Sequence, residues 1–132
     1  KAFDSVRHKH IIEALKQRGA DHHIRSLITN MYENTNTYPD LKDRQSESID
    51  ITTGVKEGDP MSPLLFSLDI DPLINKLEKD GEGFQHNGRK ITSLAFADDL
   101  VSLSNSWDGM AKNINILEAF CKLIGLQTQR AK

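Results

Sequence analysis

The sequence predicts an α+β fold, a small and mostly antiparallel sheet backed by helices. Three observations predict it. Apolar residues recur at helical spacing in four segments. Asn87-Gly88 lies between two short runs and is a strong two-residue hairpin signal. The run "LAFADDLVSL", Leu94 to Leu103, reads as two short buried strands meeting at two adjacent acids.

The elements follow in chain order. Ile11, Ile12 and Leu15 share one helical face, and Gly19 is a C-terminal stop. Asp21 caps a second helix with Ile24, Leu27, Ile28 and Met31 on its apolar stripe. The polar stretch "NTNTYPDLKDRQSESIDITTG" has β-branched residues and central charges, which suggest a hairpin with a solvated tip. "MSPLLFSLDIDPLINKLEKD" reads as a helix interrupted near Pro72, whose ring removes one ladder hydrogen bond. The Asn87-Gly88 hairpin and the acid-bearing strands come next. Met110, Ile114, Leu117, Cys121 and Ile124 then mark a last helix, with Gly125 just after it. "GLQTQRAK" stops where a further strand should begin, and "KAFDSV" starts as if inside an element. Both ends read as those of a fragment.

Bulk properties exclude several classes. The 132 residues suit one domain, or part of one, with a modest core. Composition is ordinary for a globular protein, 37% hydrophobic and 27% charged. A formal net charge of -2 leaves no basic footprint for a free-standing nucleic-acid binder. Cys121 is the one cysteine, so a disulfide framework and a cysteine-based zinc site are both excluded. Nothing resembles a signal peptide, and no apolar run is long enough to span a membrane.

Two stretches carry candidate chemistry. Asp98 and Asp99 would suit a plain hairpin turn, since Asp is a good turn former. Their flanks are too apolar for a solvated tip, however. Two carboxylates beside a buried sheet repel each other and lose hydration, and a divalent cation relieves both costs. Mg²⁺ is held by one or two carboxylates, with phosphates and water completing its shell. The second stretch is "GVKEGDPMSPLLF", Gly54 to Phe66. It would suit a Gly/Pro loop and a helix start, with Ser62 as cap and Pro63 in the first turn. Yet Gly54 and Gly58 bracket Lys56 and Glu57, and glycine lets a backbone approach a ligand closely.

Four stretches in order resemble the palm of a reverse transcriptase. "KAFDSVRH" is similar to the tail of D-x-x-K-A-F-D-x-V-x-H, and "GVKEGDPMSPLLF" to G-V-x-Q-G-D-P-x-S-P-x-L-F. "AFADDL" resembles the third motif and "GLQTQRAK" the fourth, G-L-x-x-N-x-x-K. The resemblance covers essentially the whole chain, so residues 1–132 are one partial reverse transcriptase domain, from inside the first motif to the fourth. It is strongest to non-LTR retrotransposons that insert into ribosomal RNA genes.

The resemblance implies an RNA-directed DNA polymerase using two Mg²⁺ ions, or Mn²⁺, for in-line displacement. Asp98 and Asp99 match the metal-binding and catalytic acids. Lys132 matches a catalytic lysine near the leaving pyrophosphate. Ala2, Phe3, Glu57 and Gly58 match nucleotide-binding positions, and the Phe3 ring would leave no room for a ribose 2′-hydroxyl. Ser62 and Pro63 match template and primer contacts. His8 matches a family histidine whose expected job is to fix a helix start. The implied partners are an RNA template, a DNA primer or target, deoxynucleoside triphosphates and the remainder of a larger polyprotein, with no membrane. That polyprotein would carry an endonuclease and act in the nucleus.

Three departures stand out. The family's first-motif aspartate would lie upstream of Lys1. Glu57 replaces the usual glutamine, and Gln129 the usual asparagine. The first two keep open a rival reading, a non-catalytic reverse-transcriptase-like scaffold that grips RNA or protein. Residues 1–132 alone are expected to synthesise no DNA.

Overall fold

The computed structural model describes residues 3–33, 35–41, 44–56 and 58–126. A 3₁₀ turn at Phe3–Ser5 leads into α1 (His8–Gln17) and α2 (His22–Tyr32). The short strands β1 (Asn36–Thr37), β2 (Asp40–Leu41), β3 (Arg44–Gln45) and β4 (Ile49–Asp50) follow. After α3 (Ser62–Asp80) come β5 (Phe84–His86), β6 (Arg89–Ile91), β7 (Ser93–Phe96) and β8 (Asp99–Ser102). The last element is α4 (Trp107–Ile124).

Local chemistry sets the helix ends. Past α1, the Gly19 amide bonds the Lys16 carbonyl and the Ala20 amide bonds the Leu15 carbonyl, both at 3.0 Å. That Schellman pairing needs a left-handed residue, and Gly19 supplies it with φ of 72°. The Asp21 carboxylate accepts from the His23 amide at 2.7 Å and caps α2. The Ser106 hydroxyl accepts from the Gly109 amide at 3.0 Å and caps α4. Gly125, with φ of 84°, ends that helix.

Packing explains where these helices depart from the sequence reading. α3 runs unbroken through Pro72, so the expected interruption is absent. It lies between α1 and α4, and that packing outweighs one lost ladder bond. Ser62 is not the helix cap either; Met61 occupies that position and Ser62 opens the helix. Ile28 and Tyr32 of α2 are buried, but Ile24 and Leu27 are half exposed. Among the described residues α2 packs chiefly on α1, so only one edge of its apolar stripe is covered.

The α+β class stands. Among the described residues its strands form four separate two-stranded antiparallel ladders rather than one sheet: β1–β4, β2–β3, β5–β6 and β7–β8. The Asn87-Gly88 turn between β5 and β6 has φ of 49° and 74°, as a type I′ hairpin requires. The core joins Val6, Ile11, Leu15, Ile28, Tyr32, Val55, Leu65 and Phe66. Burying each larger aliphatic or aromatic side chain contributes about 1.5–3 kcal/mol. This core underlies the loop of residues 54–61.

Candidate active site

The hairpin β7–β8 pairs Ser93 with Ser102, Leu94 with Val101, Ala95 with Leu100, and Phe96 with Asp99. Ala97 and Asp98 form its two-residue turn. Ala97 has φ of 50°, a positive value that turns the strand back sharply at the first central position. Asp98 is thus at the tip and Asp99 begins the return strand, and both are exposed.

This corrects the expectation of a buried run. Leu94, Phe96 and Val101 alternate on one face of the hairpin and are 58%, 85% and 53% exposed. That exposure leaves the face open, and no third strand pairs with the hairpin among the described residues. The case for a cation therefore rests on two accessible hard oxygen donors rather than on relief of buried repulsion. Among the described residues no group of three or more His, Cys, Asp or Glu could hold a metal. Two adjacent carboxylates suit a cation that shares its shell with phosphate and water, as Mg²⁺ does.

The second group of residues surrounds the loop from Gly54 to Ser62. The Val55 amide donates to the Phe3 carbonyl at 2.9 Å, and the Gly54 amide to the Val6 carbonyl at 2.7 Å. A Cβ on Gly54 would lie 3.3 Å from the Asp4 backbone, and its φ of 93° disfavours any other residue. The His8 ring donates from Nε2 to the Gly54 carbonyl at 2.8 Å, so His8 does tie the start of α1 to this loop. The Ser62 hydroxyl donates to the Lys56 carbonyl at 2.5 Å. The Met61 amide donates to the Asp59 carboxylate at 2.8 Å. Gly58 has φ of 79° and open space where a side chain would stand. A ligand can therefore approach its backbone closely. Pro63 is exposed beside it.

Phe3 is half-buried, with its ring tilted against Phe66 at a centroid distance of 4.6 Å. Tyr32 was not singled out from the sequence. Its ring lies 4.5 Å from that of His8, and its hydroxyl engages the Ser62 side chain and the Lys56 backbone. Burial, and then the nearby Asp59 charge, push its phenol pKa up. Its place at helical spacing from Ile28 was the only available signal. His10 faces away from His8 and pairs with Asp69, so the two histidines do not form a site.

The chain matches the family described as "Reverse transcriptase (RNA-dependent DNA polymerase)" over residues 1–132. It belongs to that family. This reverse transcriptase segment is 35% identical over 132 residues to the "Retrovirus-related Pol polyprotein from type-1 retrotransposable element R2" of Nasonia vitripennis, covering 100% of the chain and 13% of that relative. A protein of the same description from Popillia japonica is 38% identical over 106 residues, 80% of the chain and 18% of the relative. The "Retrovirus-related Pol polyprotein from type-2 retrotransposable element R2DM" of Drosophila melanogaster is 33% identical over 132 residues, 100% of the chain and 12% of the relative. The chain thus spans less than a fifth of these relatives.

The candidate residues of this reverse transcriptase segment fall into two clusters. Phe3, Gly54, Lys56, Gly58, Ser62 and Tyr32 gather around one loop, whereas Asp98 and Asp99 stand on a separate hairpin. Helix α3 links them, since it begins at Ser62 and packs against β7. Ala2, Glu57 and Lys132 lie outside the described residues, as do the positions of the fourth motif from 127 onward. Reverse transcriptases use divalent metal ions, and Asp98 and Asp99 present two exposed carboxylates next to each other in the chain. Among the described residues no helix is long and apolar enough to cross a membrane.

Proposed function

We propose that this chain supplies the metal-binding and nucleotide-facing palm segment of an RNA-directed DNA polymerase, one that copies retrotransposon RNA from a DNA primer. The observation that carries this is the pair Asp98–Asp99, exposed at a tight hairpin tip in a reverse transcriptase chain. Asp98 and Asp99 would hold Mg²⁺, or Mn²⁺ as a substitute, for a two-metal reaction. A bound divalent cation supplies charge neutralisation for the transferring phosphoryl group and the primer 3′-oxygen.

The remaining work belongs to the chain. The hairpin places Asp98 in its turn and Asp99 at the start of the return strand, so little ordering is left to binding. The Phe3 ring borders the incoming sugar and excludes a 2′-hydroxyl. Gly58 lets the nucleotide lie close to the backbone, and the motif resemblance assigns Ala2 and Glu57 to the same nucleotide. Ser62 and Pro63 carry the template strand at the head of α3. Lys132 neutralises the leaving pyrophosphate. The complete polyprotein adds an endonuclease that nicks target DNA in the nucleus and so provides the primer.

Primer extension on an RNA template by the complete protein tests this. Asp98→Asn should abolish extension, because the reaction centre loses a charged ligand, while RNA affinity stays within twofold. Extension near the wild-type rate would remove Asp98 from the site. Wild-type protein that binds RNA but extends nothing in Mg²⁺ or Mn²⁺ would favour a scaffold instead.

A further inference from the structure

The base of the acid-bearing hairpin is held by one side chain from α4. Asn113 is 1% exposed. Its Oδ1 accepts from the Glu82 amide at 2.9 Å. Its Nδ2 donates to the Glu82 carbonyl at 2.7 Å, to the Ser102 hydroxyl at 3.2 Å and to the Leu103 carbonyl at 3.2 Å. A carboxamide offers two N–H donors and one carbonyl, so three acceptors share its two hydrogens. The site has no room for a second arrangement. A Cβ on Gly81 would lie 2.7 Å from Asn113 Oδ1 and 2.5 Å from the Leu77 carbonyl. A Cβ on Gly109, one turn earlier on α4, would lie 2.4 Å from Ser104 Oγ and 2.7 Å from Glu82 Cβ.

We propose that Asn113 is a positioning residue for the Asp98–Asp99 turn, setting the register of the β7–β8 hairpin against α4. This rests on the polymerase reading above. The path is short. Ser102 ends β8, the strand that Asp99 begins, and three residues of strand span about 10 Å. Leu103 is held on both sides, since its amide donates to the Thr92 carbonyl at 2.8 Å and its own carbonyl accepts from Asn113. The outer face of the hairpin is uncovered, so among the described residues its aim depends on this base and on the packing of β7 against α3 rather than on packing at the tip. A two-stranded hairpin is marginally stable alone, and without the clamp it would rock about Leu103. Asn113 touches no substrate in this account. It acts through the hairpin.

The test uses the complete protein with Asn113→Leu, which keeps the branching at Cγ, is somewhat bulkier and removes every hydrogen bond, and with Ser102→Ala as a milder variant that leaves the Glu82 bonds intact. Misplacing reacting groups by about 1 Å lowers turnover on the order of a hundredfold. Asn113→Leu should therefore lower kcat on the order of tenfold to a hundredfold, with nucleotide KM and RNA affinity within twofold. Ser102→Ala should move kcat in the same direction by less. Amide hydrogen exchange gives a readout that needs no activity. Protection should fall across β7 and β8 and stay unchanged in α1. Unchanged exchange in the hairpin, or an equal loss of protection throughout the chain, would overturn the proposal. If Asn113→Leu does not fold, unchanged kcat and hairpin exchange in Ser102→Ala would overturn it equally. Asp98→Asn serves as the control. Retained extension there defeats the polymerase site, while the exchange result still judges the clamp.

Discussion

The Phe3 carbonyl accepts a hydrogen bond from the Val55 amide at 2.9 Å, stitching the first motif to the second. The same residue turns its ring onto Phe66, so it both borders the loop and packs against the core. Phe3→Val should thus have two effects. Discrimination against ribonucleotides should fall, read as the ratio of kcat/KM for deoxy- and ribonucleotides. Stability should also drop by about 1–2 kcal/mol, less than for a fully buried phenylalanine. An unchanged ratio with the stability loss present would leave Phe3 as a packing residue alone.

Tyr32 sits beneath the same loop. Removing its hydroxyl in Tyr32→Phe leaves the ring against His8 but strips a partner from Ser62 and Lys56. The expected cost is about 1 kcal/mol, seen as a lower urea midpoint. Because the phenol pKa is raised in the fold, its contribution is full below the ordinary tyrosine value and declines as pH rises through the folded value. The variant should lack that alkaline decline. Equal midpoints at neutral pH would mean the hydroxyl is as well satisfied by water.

Asp69 is fully buried and is hydrogen-bonded to His10 through Oδ1. Its Oδ2 has no partner among the described residues. Burial pushes its pKa up, and the hydrogen bond and charge of His10 oppose the rise. A carboxyl with a raised folded pKa stabilises most when protonated, below the ordinary aspartate value. That contribution is lost as pH climbs through the raised value. Asp69→Asn cannot ionise. Its melting temperature, minus that of the wild type, should therefore grow from pH 4 to pH 7. A flat or falling difference would show that His10 compensates the buried charge completely.

The motif resemblance matches Glu57 to a glutamine position. An ionised carboxylate only accepts hydrogen bonds. If the proposed nucleotide site holds, a carboxylate facing a phosphate at an effective dielectric near 20 would cost on the order of 1–3 kcal/mol. Glu57→Gln should lower nucleotide KM without changing RNA affinity. An equal or higher KM in steady-state kinetics would place Glu57 away from the triphosphate.

Features that depend on neighbours in sequence were legible in advance. Asp21, Gly19, Gly125 and Asn87-Gly88 act through local backbone geometry, and each does what its residue type implies. The hairpin at Asp98 was legible as well, because its turn is two residues long. Asn113 and Asp69 were not. Each lies on a helix as an ordinary polar residue, and only the approach of another element buries it. Pro72 misled for a related reason. Its local penalty is real, but α1 and α4 hold the helix together across it. The exposed face of Leu94, Phe96 and Val101 shows the converse. Alternation identifies a strand, yet it does not say whether anything lies against it.

The contact between His10 and Asp69 also has a timetable. The two residues are 59 apart in sequence, whereas each of the ladders β2–β3, β5–β6 and β7–β8 closes a loop of a few residues. Such hairpins form in about 1–10 μs, as soon as both strands have left the ribosome. The His10 side of α1 must instead wait for α3 to be made. At translation rates of about 5–20 residues per second that wait lasts roughly 3–12 s. Once α2 has been made, Ile11 and Leu15 have it beside them but no α3. A nascent-chain chaperone that reads apolar helix faces would find α1 during that interval and lose it once Asp69 arrives.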